Sequence, residues 1–333
     1  MKHLLLISAF ILGWNAFLHS EDGSTADTAS NVYIENLTHL LSLKLYTLTK
    51  SNTLEIIHLE NRMIMRPNGN TNIGVGFNYN SIGLAVSIGR PLTQSSIQKY
   101  GYTSRFDLQV SVYGKRIGMD GFLQGYKGYY LSNPNDFTDW EASYYPQVGD
   151  LDVFSLGGSA FYLFNNKRFS YKAAYTRNEV QKKSAGSFSA GFFFYHDLVR
   201  SSNGFLPQEV QDSLWDDFDL KEFDATSIGL LAGYQHTFVI RGNFFISLQL
   251  TPGIGYRRLS GKALDGSGGI VNKTAGQVFG RAAMGYEFKQ FYIGATASTI
   301  LRSFKYKNFI VDLGTEQFRV TIGKRFDVNR KNR

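Results

Sequence analysis

Residues 227–256, SIGLLAGYQHTFVIRGNFFISLQLTPGIGY, decide how the chain is read. At every second position Ile228, Leu230, Ala232, Tyr234 and Phe238 fall on one face, with His236 interrupting. Ser227, Gly229, Gly233, Gln235 and Thr237 fall on the other. After Arg241-Gly242-Asn243 the alternation resumes, with Phe244, Ile246, Leu248, Leu250, Ile254 and Tyr256 opposite Ser247, Gln249, Thr251, Gly253 and Gly255. Two period-2 runs around a Gly-Asn turn are a β-hairpin signal. Each arm has about ten or more residues, enough to cross a bilayer core at the tilt of a barrel strand. Phe238, Phe244 and Tyr256 stand where the arms would meet the two interfaces, and the opposite face is small and polar, as a lumen requires. The stretch predicts a transmembrane β-hairpin.

Outward from this hairpin the pattern recurs. Strands are expected over 73–79, 82–88, 106–112, 117–131, 154–164, 169–175, 188–194, 228–238, 244–256, 278–288, 291–301 and 318–326. That makes an all-β transmembrane antiparallel barrel of about 12 strands, or 14 if 41–47 is used. One test fails. Long and short loops should alternate in such a barrel, and the parity breaks near 176–187, which places an error there or at the start. A soluble sandwich or lipocalin-like barrel also alternates. Strand length, terminal aromatics and the Gly/Ser/Gln inner faces favour the membrane.

Composition agrees. Aromatics make up 15 % of 333 residues, with 34 Gly and only 6 Pro, a mix suited to twisted strands. The mean hydropathy is −0.20 although 43 % of residues are apolar, so apolar residues are interleaved. The body has no run of about twenty apolar residues, as a membrane helix needs. Lys2, the apolar stretch 4–13 and Leu18-His19-Ser20 read as a cleaved signal peptide over 1–20. Residues 21–60 are then a periplasmic segment or first strand, 61–326 the barrel and 327–333 a tail. With no cysteine, disulfides, thiolate metal sites and a lipidated Cys are excluded. The net charge is +8, but the cations are scattered beside turns, as at Lys115-Arg116, Lys167-Arg168 and Arg241. No basic stripe fits a nucleic acid.

Three segments carry a resemblance: RPNGNTNIGVGFNYNSIGL at 66–84, YGYTSRFDLQVSVYGKRIGMDGFLQGYKGYYL at 100–131 and FNNKRFSYKAAYTRNEVQKKSAGSF at 164–188. HTFVIRGNFF at 236–245 belongs to the same series. In order and spacing they resemble an uncharacterised outer-membrane β-barrel family, a domain of unknown function found widely in Bacteroidota. The resemblance implies the fold and brings no catalytic or ligand residues.

Few residues point to chemistry. His39, His58, His196 and His236 have no metal-ligand spacing. His196 followed by Ser201-Ser202-Asn203-Gly204 is similar to the HxSNG segment of outer-membrane phospholipases, but Ser202 lies six residues from His196 rather than two. No nucleotide or cofactor fingerprint is present, so neither catalytic residue nor cofactor is expected. Residues 196–224 carry eight carboxylates against Arg200 and Lys221. Pro207, Val210, Leu214 and Phe218 there predict a short amphipathic helix. The loop is expected to be dispensable for folding.

Inward strand positions give the candidate lumen wall: Arg281 and Glu287, Arg302, Arg319 and Arg325, with Lys172 from further round. Such cations favour anions if the lumen conducts; paired with Glu287, Asp107 and Asp120, they hold a closed interior together. Phe318, Val320, Ile322 and Phe326 are expected to face lipid on the closing strand. The expected function is a narrow passive channel for small, anionic solutes. The alternative is a non-conducting structural or interaction barrel displaying loops 132–149, 196–224 and 257–272; a lipid hydrolase comes third. The expected place is the bacterial outer membrane. The expected partners are outer-membrane lipids, lipopolysaccharide and the barrel-assembly machinery.

Overall fold

Polar–apolar alternation becomes antiparallel sheet along most of the chain. The computed structural model describes residues 32–69, 71–79, 82–209 and 218–328. The expected signal peptide, most of the expected helix after Pro207 and residues 329–333 lie outside the described residues. The first elements are β1 (Ile34–Asn36), β2 (Leu41–His58), β3 (Asn61–Pro67), β4 (Asn72–Tyr79), β5 (Ile82–Gly89) and helix α1 (Gln94–Tyr100). Next come β6 (Ser104–Tyr113), β7 (Ile117–Leu131), β8 (Gln147–Leu163), the short helix α2 (Tyr171–Tyr175) and β9 (Glu179–Gln181). The long strands β10 (Ala185–Arg200), β11 (Leu220–Ile240), β12 (Phe244–Ala263), β13 (Gly268–Phe288), β14 (Phe291–Tyr306) and β15 (Phe309–Phe326) follow.

The first and last long strands close the sheet. β15 pairs with β2 from Phe326 opposite Leu41 to Ile310 opposite Ile57. The ring then runs β15, β14, β13, β12, β11, β10, β8, β7, β3 and back to β2, ten antiparallel strands. Closure removes the edges along this path, the condition for a sheet to sit in lipid. The outer face is an apolar belt in which Leu230, Leu250, Ile254, Phe318 and Ile322 are all exposed. Among the described residues no helix is long and apolar enough to cross a membrane.

The expected count of twelve or fourteen strands is corrected to ten in the closed ring. Residues 169–175 are a loop and helix α2 rather than a strand, while 41–58 is one long strand. Those two changes repair the loop parity. The expected loop 257–272 and the long loop after 301 are also corrected. β11, β12 and β13 have 21, 20 and 21 residues, about twice what a bilayer core requires. Beyond Ile228 and Tyr256 their outward positions become polar, at Asp224, Arg258 and Lys262, so the strands stand clear of the belt and only 264–267 and 307–308 remain as turns.

β3 and β4 are two parts of one broken strand beside β2. β3 pairs with Leu54–His58 and β4 with Ser42–Leu48. At the break β3 crosses to β7, Met65 opposite Leu131 and Pro67 opposite Tyr129. β7 makes room by a bulge at Gly128: it pairs with β6 up to Lys127 and with β3 from Tyr129. Gly128 has φ 94°, and a Cβ there would lie 2.1 Å from the Tyr102 carbonyl oxygen, so only glycine fits the junction. Toward the chain termini the wall therefore runs through β2, β4, β5, β6 and β7. Among the described residues no β5–β6 pairing closes it.

Candidate functional site

The lumen is the candidate site, and side chains occupy much of it. At the end away from the termini, Leu54, Ile56, Met63, Leu131, Phe223 and Phe304 form an apolar core. Phe205 and Phe218, the feet of the acidic loop, are buried in it. The loop is therefore anchored in the barrel, against the expectation that it is dispensable. Asp150 accepts hydrogen bonds from the Ser202 backbone N–H (2.7 Å) and the Ser201 hydroxyl (3.0 Å) at one foot. At the other, Asp219 accepts from Lys307 Nζ (2.8 Å) and Tyr306 (2.9 Å). Partial burial pushes both carboxyls up, but these donors outweigh it and hold both below the usual carboxylate range.

Below that core lies an ion pair. Arg302 Nε stands 3.1 Å from Asp197 Oδ2, with the two side chains each 1 % exposed. Ser155 donates to Asp197 Oδ1 at 2.7 Å. The guanidinium lies over Phe122 and Tyr195, 5.5 and 5.3 Å from the ring centroids. Arg257, also buried, lies 4.1 Å over Phe304 and donates from Nε to Ser227 at 2.9 Å.

Nearer the termini, loop 164–184 turns into the lumen. Arg281 donates to Tyr113 (2.7 Å) and to Tyr171 of α2 (3.2 Å), and its other nitrogen meets Asp120 at 3.2 Å. Tyr171 donates to Gln249 on β12. Arg177 fixes the end of the loop: it pairs with Glu287 at 3.2 Å, lies 4.2 Å over Phe245 and donates to the Met284 and Ile293 carbonyls. Gly285 and Gly294 face each other across β13 and β14. A Cβ on either would lie 1.8 or 2.1 Å from Arg177 Nη2, so this glycine pair is the slot that admits the guanidinium. Arg325 clamps the assembly, with Nη1 2.7 Å from Glu287 and Nη2 3.1 Å from the Arg177 carbonyl. β1 adds a strand to the same loop by pairing with β9.

The structure places Arg281, Glu287, Arg302, Arg319 and Arg325 inside, on adjacent strands β13, β14 and β15. Three of the four arginines have carboxylate partners. Arg319 lies 5.0 Å from the centroid of Tyr46 and meets no carboxylate among the described residues. Lys172 is buried on α2, in the inserted loop, and not on a strand as expected. Phe318, Val320, Ile322 and Phe326 face outward on β15. His196 meets Thr226 and Asp224 on the outer face, while Ser202 is turned over Asp150. Among the described residues no group of ligands could hold a metal.

Sequence reasoning missed Arg177, Arg257, Asp197 and the inserted tyrosine. Asp197 and Arg257 continue the inward phase of β10 and β12 beyond the belt, so extending those strands would have found them. Arg177, at φ 65° in a loop, has no periodic signal.

A family model described as "Domain of unknown function (DUF4421)" matches residues 25–326. The chain belongs to that family. No protein of curated function matches the DUF4421 chain in sequence. Among solved structures, it is similar to the outer membrane protease OmpT from Escherichia coli, at 9 % identity over 88 % of this chain and 98 % of that one, with a TM-score of 0.35. It is also similar to the translocator domain of the autotransporter NalP from Neisseria meningitidis, at 10 % identity, 97 % and 98 % coverage and a TM-score of 0.35. The Pseudomonas putida toluene transporter TodX aligns at 7 % identity over 92 % and 95 %, with a TM-score of 0.26. At such scores none of them informs what this lumen does.

Proposed function

We propose that this DUF4421 protein is an outer-membrane barrel that does not conduct, a structural or interaction barrel presenting its far end outside the cell. In this reading residues 1–20 direct export, the barrel-assembly machinery inserts the chain, and β15 with its outward Phe318, Val320, Ile322 and Phe326 is the assembly signal. Short turns at 241–243 and 289–290 lie at the end that holds the termini, which fits a periplasmic placement of that end. The observation that carries the reading is loop 164–184, seated in the lumen by Arg177 and Tyr171. The lumen cations then serve packing, paired with Asp120, Asp197 and Glu287. The channel reading draws on the lumen cations that lack a carboxylate salt bridge among the described residues, such as Arg319, Lys44 and Arg257. Liposomes carrying the refolded protein separate the two: no swelling in small sugars or amino acids is expected, and swelling at the rate of an open porin would overturn the proposal.

A further inference from the structure

The β5–β6 seam is an anomaly in a membrane wall. Among the described residues β5 pairs with β4 and β6 with β7, and no ladder joins β5 to β6. The seam lies within the apolar belt, where Leu84, Val86 and Ile88 on one lip and Phe106 and Leu108 on the other are exposed. Open edges in hydrocarbon are strongly disfavoured unless something polar meets them. On β5 the inner face is open too, Ala85 and Ser87 being exposed.

Behind the seam the charges do not balance. Lys44 leaves β2 and crosses the inner face of β4 over Gly76, where a Cβ would lie 2.8 Å from Lys44 Cε and 3.0 Å from the Ala85 Cβ on β5. Lys50, also on β2, ends on Asp107 of β6. Thus the Lys50 ammonium reaches the β6 lip, while the Lys44 ammonium stays over β4, donating to Asn78 at 3.5 Å. Arg319 stands within electrostatic range of both lysines. Asp107 pairs with Lys50, and its second oxygen is taken by Gln124 and Tyr126, each at 2.8 Å. Arg105 of β6 ties the seam at its upper end by donating to Asn72 of β4 at 3.1 Å.

We propose that the seam is a lateral binding site for an anionic phospholipid of the leaflet nearer the chain termini. The phosphate enters between β5 and β6, accepts hydrogen bonds from edge N–H groups and faces Lys44, Lys50 and Arg319. The acyl chains stay in the bilayer along the apolar lips. A lipid fits better than a free anion because the opening faces hydrocarbon and its lips are apolar. The site satisfies the open edges and the surplus charge together.

The test is native mass spectrometry of the barrel refolded in an uncharged detergent, titrated with phosphatidylglycerol, with diacylglycerol of the same chains, and with inorganic phosphate. One phosphatidylglycerol should bind per barrel, with the other two weaker by about tenfold or more. Lys44→Gln with Arg319→Gln should weaken it by a similar factor while heat-modifiable migration stays normal. Should that pair not fold, Ala85→Asp sets a carboxylate beside Lys44 and should weaken binding alike. A photoreactive phosphatidylglycerol should label peptides of β5 and β6. Equal binding of diacylglycerol or of inorganic phosphate, unchanged binding in the folded variants, or label spread around the barrel would each overturn the site. The proposal rests on the barrel lying in lipid; if that fails, the chain refolds without detergent, whereas failure of the site alone leaves folding untouched.

Discussion

Arg302 shows what a buried charge does in this lumen. Its guanidinium is out of water, so its stability depends on Asp197 and the two rings that flank it. Removing one member of such a pair leaves the other uncompensated, at a cost of about 3–5 kcal/mol. Arg302→Ala should lower the urea midpoint accordingly, and Arg302→Met with Asp197→Asn should recover much of the loss; equal midpoints for wild type and Arg302→Ala would contradict the assignment. The outer end offers a test by pH. Because the Asp219 carboxyl is held below its unfolded value, its contribution is complete above that value, about 3.9, and is lost as pH falls through the lowered one. Limited proteolysis at the 201–219 loop should therefore rise below about pH 4, and Asp150→Asn with Asp219→Asn should remove that pH dependence. Inward arginines were legible in the sequence because strand phase alone places them. Of their partners, Asp120 and Glu287 were legible as well; Asp197 and Arg177 were not, since Asp197 lies beyond the belt and Arg177 lies in a loop without a period.

At the scale of elements, the 227–256 hairpin needed nothing beyond its alternation, and β11 pairs with β12 as that pattern predicts. The errors fell where alternation misleads. Phe169, Tyr171 and Ala173 alternate with Ser170 and Lys172, yet they lie in a loop and a one-turn helix, because the lumen buries them without requiring a strand. β4 was read from its alternation at 73–79, but β3, and its role as the other part of the same broken strand, were hidden by the break after Pro67, which has no counterpart in a regular barrel. The β15–β2 register gives the closing strand a direct test. Deleting 318–326 removes more than half of that pairing and should abolish membrane insertion, whereas deleting 327–333 should leave normal heat-modifiable migration; folding of the larger deletion would sink the closing role. The acidic loop is now expected to matter through its feet. Phe205→Ala and Phe218→Ala should each cost about 3 kcal/mol or more as cavities in a buried cluster, read as a lowered unfolding midpoint, and an unchanged midpoint would place the loop outside the core.

For the whole molecule, the features that make the barrel suit lipid outside also leave it filled inside. An outward apolar belt frees the inward positions to be polar, and here they are matched to one another and to an inserted loop rather than to water. In the proposed reading the DUF4421 barrel combines a membrane wall with a lumen occupied by its own side chains and an inserted loop. Single-channel recording in planar bilayers tests this most directly. Refolded wild-type protein should give no steady conductance at moderate voltage and salt, while Arg177→Ala with Tyr171→Ala, which releases the inserted loop, should give openings. Stable wild-type openings whose ion preference shifts on Arg302→Glu with Arg319→Glu would contradict a closed lumen.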